Sequence, residues 1–314
     1  MSRAFVFPGQ GSQSVGMGRA LADDFPAARL VFEEVDDALG ERLSRLVFEG
    51  PEDVLTLTAN AQPALMAVSL AAMRALEAEG VDLARDAAFV AGHSLGEYSA
   101  LAAARALTLT DAARLLRTRG AAMQRAVPVG EGAMAALLGL DFEAASEVAA
   151  EAAMGEVLAA ANDNAPGQVV VSGTRAAVDR AIELAKTRGA KRAVLLPVSA
   201  PFHCALMAPA ADVMAEALAE VTIAAPVVPL VANVLAAPIS DPDEIRRRLV
   251  DQVTGTVRWR ESVAFMAGEG VDLLIEVGAG KVLAGLVKRI AKDAAALSVG
   301  TPEDVAALMA ALAR

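Results

Sequence analysis

Residues 87–105 read AAFVAGHSLGEYSALAAAR, an apolar run followed by a helical pattern. The run Ala87–Gly92 predicts a buried strand, and Ser94–Arg105 predicts a helix. The turn between them, Gly92-His93-Ser94-Leu95-Gly96, matches G-x-S-x-G, in which a sharp turn exposes the serine hydroxyl and the glycines relieve crowding. The first N–H groups of the helix would face negative charge that develops near the serine. We therefore predict that Ser94 is a nucleophile; the alternative is a tight turn with an incidental serine.

On both sides of this turn, short apolar runs alternate with longer helical patterns, which is typical of α/β proteins. Further strands are predicted at Ala4–Phe7, Val227–Val231, Leu273–Val277 and Ala296–Val299. We expect an α/β protein whose large domain, built on a parallel sheet, spans residues 1–127 and 198–314.

Residues 128–197 have an order of elements of their own. The predicted elements are strands at Ala133–Leu140, Val157–Ala161, Gln168–Ser172 and Arg192–Leu196, with helices at Phe142–Ala153 and Arg175–Arg188. This βαββαβ order is that of a ferredoxin-like unit. We therefore expect a small ferredoxin-like domain, residues 128–197, inserted into the large domain.

The composition excludes several classes of protein. Of the 314 residues, 55% are apolar and 21% are charged, which excludes a disordered chain. The net charge of −11 argues against nucleic acid or an anionic membrane as a partner. The single cysteine, Cys204, excludes an internal disulfide, and the two histidines argue against a metal site. We expect no metal and no cofactor.

The high apolar content requires a check for membrane spans. Ala193–Ala211 and Val221–Ser240 lack charged residues, but each holds three prolines, which would break the hydrogen bonding that lipid requires. The apolar run before Pro8 is too short for the core of a signal peptide. We expect a cytoplasmic protein, and a monomer.

A serine nucleophile needs a base, and His203 is the candidate. It follows the predicted strand that ends at Leu196, and loops after parallel strands converge on one edge of the sheet. His93 is adjacent to Ser94, where neighbouring side chains diverge, so we expect it to be structural. Cys204 is a weaker rival nucleophile, because its only available base is the neighbouring histidine.

Arg119 is a charge in an apolar position. The helical pattern Asp111–Ala126 places it at the centre of an apolar stripe, whereas Arg117 lies off that stripe. A charge that faces the interior is costly unless it is paired. Its partner is either a buried carboxylate of the protein or a substrate carboxylate in bidentate contact.

Two glycine-rich loops lack the spacing of nucleotide-binding motifs. Ser14 and Leu283 stand where G-x-G-x-x-G requires its last glycine, after Gly9 and Gly278 respectively. The loop Pro8–Gln13 nevertheless follows an early strand, and its free amides would be able to supply a second donor to an oxyanion.

Six motifs resemble, in order and approximate spacing, those of the malonyl-CoA:acyl carrier protein transacylases. They are FPGQGSQ at Phe7–Gln13, GHSLGEY at Gly92–Tyr98, Arg119-Gly120, GQVVVSG at Gly167–Gly173, PFH at Pro201–His203 and EVG at Glu276–Gly278. The resemblance covers essentially the whole chain. It implies an α/β-hydrolase-like large domain with a ferredoxin-like insert, in agreement with the pattern of strands and helices.

The resemblance also implies roles for six residues and the use of no cofactor. These are Ser94 as nucleophile, His203 as base, the backbone amides of Gln10 and Leu95 as the oxyanion hole, Arg119 as the group that binds the malonyl carboxylate, and Gln252 as the residue that orients the histidine. Because no motif between Ser94 and His203 supplies the acid of a triad, orientation of the base by a glutamine region fits this sequence.

We expect ping-pong acyl transfer from malonyl-CoA to the phosphopantetheine thiol of an acyl carrier protein, for fatty-acid synthesis. The alternatives are a serine hydrolase that passes the acyl group to water and a non-catalytic module that binds the carrier protein. Since acyl carrier proteins are acidic, a basic patch should bind them. We prefer Lys191 and Arg192 over Arg246–Arg248 and Lys288-Arg289, because the first pair opens the strand that leads to His203.

Overall fold

The computed structural model describes residues 2–312. Its strands are β1 Ser2–Phe7, β2 Phe89–Gly92, β3 Gly132–Leu138, β4 Leu158–Ala165, β5 Gln168–Thr174, β6 Arg192–Leu195, β7 Leu230–Ala232, β8 Ala237–Ile239, β9 Val271–Val277 and β10 Ala295–Val299. Its helices are α1 Arg19–Asp24, α2 Pro26–Leu39, α3 Leu43–Glu49, α4 Glu52–Thr56, α5 Thr58–Ala78, α6 Leu83–Asp86, α7 Gly96–Ala103, α8 Leu109–Ala126, α9 Phe142–Ala153, α10 Arg175–Thr187, α11 Ala208–Ala219, α12 Pro242–Thr254, α13 Trp259–Gly268, α14 Val282–Ile290 and α15 Pro302–Leu312.

The central sheet brings three loops to one place. Its strand order is β10-β9-β1-β2-β7-β8, and β1 is parallel to both β9 and β2. Phe7 and Gly92 are partners in register at the carboxyl ends of β1 and β2, and β7 is parallel to β2 on its other side. The loops that begin at Pro8, His93 and Asn233 therefore leave the sheet side by side, where α/β proteins form their sites.

Each face of the central sheet is covered. Phe5 and Phe7 point to one face and belong to the core that includes the buried helix α5. Ala4 and Val6, at the alternate positions, pack on the other face in the cluster that contains Trp259. With both faces buried, the edge at the carboxyl ends of the strands is left for a pocket.

The second sheet has the order β4-β5-β3-β6, and all neighbours in it are antiparallel. With helices α9 and α10 between its strands, this is the ferredoxin-like topology, and the prediction of an α/β protein with such a unit is confirmed. Ala135 and Val169 pack with the two helices on one face. Met134 and Val170 lie on the opposite face and pack with Phe202.

Several element boundaries differ from the sequence prediction; β2, for example, begins at Phe89 and β7 at Leu230. Three differences concern the two sheets and the serine turn. The central sheet is not wholly parallel, because β8 returns antiparallel to β7 after a short connection. Helix α7 begins at Gly96 rather than Ser94, since the φ of Ser94 is 54°, a left-handed value that a right-handed helix cannot include. Strand β4 continues past Ala161 to Ala165, with irregular register against β5.

Within residues 2–312, no helix has both the length and the apolar character needed to cross a bilayer.

Candidate active site

Ser94 stands at the turn between β2 and α7, where two backbone segments approach closely. A Cβ on Gly92 would lie 1.9 Å from the carbonyl carbon of Gly96. A Cβ on Gly96 would lie 2.3 Å from the carbonyl oxygen of Phe7. Both positions therefore require glycine, and the predicted strand–turn–helix context of Ser94 is confirmed.

The Ser94 hydroxyl contacts the His203 ring directly. Ser94 Oγ lies 2.8 Å from His203 Nε2, and His203 Nδ1 lies 2.8 Å from the backbone oxygen of Gln252. Because a carbonyl oxygen can only accept, Nδ1 carries the proton and Nε2 offers its lone pair to the serine hydroxyl. The structure thus brings together Ser94, His203 and Gln252, and it is the main chain of Gln252 that contacts the ring.

The environment of His203 keeps the ring neutral. Burial, together with the nearby positive charge of Arg119, lowers the pKa of His203 to about 3. At pH 7 the imidazole is therefore unprotonated at Nε2. It is in the state that can accept a proton from Ser94.

Arg119 reaches the same site from α8 and is only 1% exposed. Its Nη1 donates to Oε1 of Gln62 at 2.7 Å, and its Nη2 donates to Oε1 of Gln252 at 2.8 Å and to Ser94 Oγ at 3.1 Å. Burial lowers the pKa of this guanidinium. No carboxylate in residues 2–312 accepts a hydrogen bond from it, so a direct protein carboxylate partner, one of the two sequence alternatives, finds no support.

Glu97 is a buried acid behind the site. One of its oxygens accepts from the Asn233 backbone N–H at 2.6 Å, and the other accepts from Gln252 Nε2. Burial raises the pKa of Glu97 to about 8. The Gln252 amide therefore lies between Glu97 and Arg119, and by donating to the acid it turns its oxygen toward the guanidinium.

Asn233 fastens the turn that carries the serine. Its Oδ1 accepts from the Ser94 backbone N–H at 2.8 Å, and its Nδ2 donates to the Gly92 carbonyl at 2.7 Å. Asn233, Glu97 and Gln62 are site residues that the sequence patterns did not predict. An isolated asparagine or glutamine in a sequence carries no pattern that points to a site. Glu97 lies within the motif GHSLGEY, but its burial, which makes it part of the site, is visible only in the structure.

Gln10 and Leu95 line one cavity of about 440 Å³ together with Ser94, Arg119 and His203. Neither the Gln10 nor the Leu95 backbone N–H donates a hydrogen bond within residues 2–312. Free N–H groups are one requirement for stabilising an oxyanion, and both residues meet it.

Cys204, Lys191 and Arg192 do not line the cavity that holds Ser94 and His203. The Cys204 thiol is buried, donates to the Pro201 carbonyl oxygen at 3.3 Å, and has its pKa raised by burial. It is therefore a poor nucleophile. Lys191 and Arg192 are exposed at the start of β6.

The chain is similar to known acyltransferases over nearly its full length. Residues 4–309 match the acyl transferase domain family. Malonyl CoA-acyl carrier protein transacylase of Escherichia coli strain K12 is 48% identical over 98% of both chains, and that of Bacillus subtilis strain 168 is 47% identical over 96% of this chain and 94% of its own.

Solved structures agree with these relatives. The crystal structure of acyl-carrier-protein-S-malonyltransferase from Bartonella henselae is 58% identical, covers 100% of both chains and superimposes with a TM-score of 0.97. A malonyl-transacylase solved in complex with a type II PKS acyl-carrier protein is 43% identical, with a TM-score of 0.96 over 99% of this chain and 100% of its own. This chain belongs to the acyl transferase domain family and, within it, to the malonyl CoA-acyl carrier protein transacylases.

Proposed function

We propose that this protein transfers the malonyl group of malonyl-CoA to the phosphopantetheine thiol of an acyl carrier protein through a malonyl ester on Ser94. The observation that carries the proposal is the placement of a buried guanidinium, Arg119, 3.1 Å from a serine oxygen that also contacts a neutral histidine. The names and the close similarity of the relatives support the same activity.

The first half-reaction uses His203 as a base. Nε2 takes the Ser94 hydroxyl proton while Oγ attacks the thioester carbonyl carbon. The backbone N–H groups of Gln10 and Leu95 donate to the resulting oxyanion. When the tetrahedral intermediate collapses, the C–S bond breaks and the coenzyme A sulfur leaves with the proton from His203.

The second half-reaction reverses these steps with a different thiol. The phosphopantetheine thiol gives its proton to His203, and its sulfur attacks the carbonyl carbon of the malonyl ester. The C–O bond to Ser94 breaks, and His203 returns the proton to Oγ. The chain needs no metal or redox group for either half, since every proton moves through one imidazole.

Arg119 supplies selectivity for a carboxylate. Its Nε–H has no partner among residues 2–312, so the guanidinium keeps donor capacity while its Nη atoms hold Gln62 and Gln252. The buried guanidinium has no negatively charged hydrogen-bond partner among residues 2–312, and a malonyl carboxylate would supply one. An acetyl group would not.

Five further parts of the proposal rest on the sequence. Lys191 and Arg192 form the dock for the carrier protein, and both are exposed. The enzyme is a monomer in the cytoplasm. The inserted domain spans residues 128–197, with the large domain at 1–127 and 198–314. The pathway served is fatty-acid synthesis.

The proposal is tested by the fate of the malonyl group. With malonyl-CoA and holo carrier protein present together, we expect malonyl-carrier to form much faster than free malonate. Faster release of malonate would instead identify a hydrolase, and the absence of any coenzyme A release would identify a non-catalytic binding module.

A further inference from the structure

His93, the neighbour of the nucleophile, lines the same cavity as Ser94 and makes three contacts that fix its position, none of them with Ser94 or His203. Its backbone N–H donates to the Phe7 carbonyl at 3.0 Å. Its Nε2 lies 2.8 Å from Oδ1 of Asn164, on strand β4 of the second sheet. Its ring centroid lies 5.7 Å from that of Trp259 on α13. Contacts that fix His93 in this way also restrict the residues that pack against it.

The neighbours of His93 carry both proposed oxyanion donors. Leu95 follows two residues later in the chain. On the other side, Gly9 packs so closely that a Cβ there would lie 2.7 Å from the His93 carbonyl oxygen and 3.0 Å from Nδ1. Gly9 directly precedes Gln10. The carbonyl group and the ring of His93 therefore both lie against the backbone of Gly9, the residue that precedes Gln10.

The protonation state of this ring is set by its contacts. Burial lowers the pKa of His93, so the ring is neutral at pH 7. With Oδ1 of Asn164 as the acceptor, Nε2 carries the proton and Nδ1 is bare toward Gly9. His203 has the opposite tautomer, with its proton on Nδ1.

Asn164 follows a residue that is held by several hydrogen bonds. The preceding residue, Asp163, is buried and accepts two hydrogen bonds from Arg260 Nε, at 3.1 and 2.8 Å. The Asp163 backbone N–H also donates to the Val257 carbonyl at 2.9 Å. These contacts tie β4 to the segment around α13, and Asn164 extends the connection to His93.

We propose that His93 is a positioning residue for the oxyanion hole and that Asn164 sets the orientation of its ring. The connection runs from Arg260 through Asp163 and Asn164 to His93, and from there to the loop of Gln10. The inference rests on the proposed function, since it concerns the rate of ester formation on Ser94.

Two variants at one position test the inference. Asn164→Leu removes the acceptor at nearly constant volume, and Asn164→Asp, the matched control, keeps an oxygen at the same reach. We expect Asn164→Leu to slow coenzyme A release in the first turnover by about 10- to 100-fold, somewhat less than the loss of a whole oxyanion donor. The KM for malonyl-CoA should stay within about twofold, and Asn164→Asp should retain the rate within about fivefold.

A second readout does not depend on activity. The chain has two histidines, so a long-range ¹H–¹⁵N spectrum of the imidazoles contains two rings only. We expect opposite tautomers in the wild type, with Nε2–H on His93 and Nδ1–H on His203. In Asn164→Leu the His93 signals alone should change.

The inference is overturned if Asn164→Leu acylates at the wild-type rate, if it raises KM instead of lowering the rate, or if His93 carries its proton on Nδ1. The last result stands even where Asn164→Leu fails to fold, because it is measured on the wild type. A failure of the proposed function looks different: the wild type itself would form no malonyl ester on Ser94.

Discussion

At the scale of single residues, the feature of the pocket with the highest free-energy cost is the buried cation Arg119, whose hydrogen-bond partners are neutral. Arg119 is held by Gln62 and Gln252, and neither compensates its charge. Glu97 makes no direct hydrogen bond to Arg119; the two side chains are linked only through the amide of Gln252, which donates to Glu97 and accepts from Arg119. Burying an unpaired charge costs free energy, and an ion pair with a substrate carboxylate offsets much of that cost. The pocket is therefore built for an acyl group that carries its own negative charge.

Replacement of Arg119 by Ala should separate malonyl from acetyl substrates. We expect malonyl transfer to lose about 2–5 kcal/mol of transition-state stabilisation, the range for breaking a buried ion pair. Acetyl transfer should fall far less or rise, because the uncompensated buried charge has gone. The measurement is kcat/KM for malonyl-CoA and acetyl-CoA side by side.

Arg117→Ala is the matched control, since Arg117 lies on the same helix but binds Ala59, Asn60 and Glu41 outside the cavity. Its ratio of malonyl to acetyl rates should stay at the wild-type value. Equal losses of both activities in Arg119→Ala would mean that Arg119 is structural.

At the scale of elements, the serine turn depends on its neighbour in the sheet. The turn places Ser94 in a left-handed conformation with φ 54°, so Ser94 itself is not part of the helix that follows. Its carbonyl oxygen accepts from the Glu97 N–H of that helix at 3.0 Å, but its own N–H needs a partner from elsewhere. Asn233, from the loop after β7, satisfies the Ser94 N–H and the Gly92 carbonyl. One amide thereby holds both sides of the turn.

Asn233→Leu should destabilise the fold. It removes the Asn233 partner from a part-buried N–H and from a buried carbonyl, at about 1–3 kcal/mol each, so we expect a loss of roughly 2–6 kcal/mol in the free energy of unfolding by urea. Asn60→Leu removes a hydrogen bond to the Val54 carbonyl and one from Arg117 at a partly exposed site. It should cost about 1 kcal/mol or less, because Arg117 keeps the Ala59 carbonyl and Glu41 as partners. Similar small losses in both variants would show that Asn233 does not hold the turn.

The sequence predicted those elements whose signals are local. The strand before Gly92 and the stripe that buries Arg119 follow from periodicity within about 20 residues. Strand β8 was missed, because three residues next to a turn carry no usable pattern. Asn233 was not predicted, because its hydrogen-bond partners Ser94 and Gly92 lie 139 and 141 positions away in the chain. The role of Gln252 was predicted only from the resemblance to the family. Its main-chain contact to His203 depends on the tertiary structure, so no local pattern predicts it.

At the scale of the whole molecule, charge works against the encounter with an acidic carrier protein. The chain carries a net charge of −11, so two like-charged proteins must meet. Exposed positive charge near the site would offset this repulsion and speed association. Of the three basic clusters, Arg246–Arg248 is partly engaged, since Arg248 pairs with Glu244 and Asp251. Arg289 donates to the Pro166 carbonyl and to Gln168.

Reversal of the proposed dock should affect only the second substrate. In Lys191→Glu/Arg192→Glu we expect a higher KM for carrier protein and a weaker dependence of its association rate on salt. Single exposed charges contribute little to affinity, about 0–1 kcal/mol, so the change should be mainly kinetic. Ester formation from malonyl-CoA should be unchanged.

A charge-matched control is Arg42→Glu/Lys292→Glu, at two exposed positions outside the three basic clusters. If this control and the dock variant shift the carrier kinetics equally, the effect comes from net charge and Lys191 and Arg192 are not the dock.

The central claim is that Ser94 carries the malonyl group between the two thiols. Incubation with malonyl-CoA alone, followed by intact-mass analysis and peptide mapping, tests it most directly. We expect one malonyl group per chain, on the peptide that contains Ser94, and none on Ser94→Ala. The same adduct on Ser94→Ala, or a malonyl group mapped to any other residue of the wild type, would contradict the account.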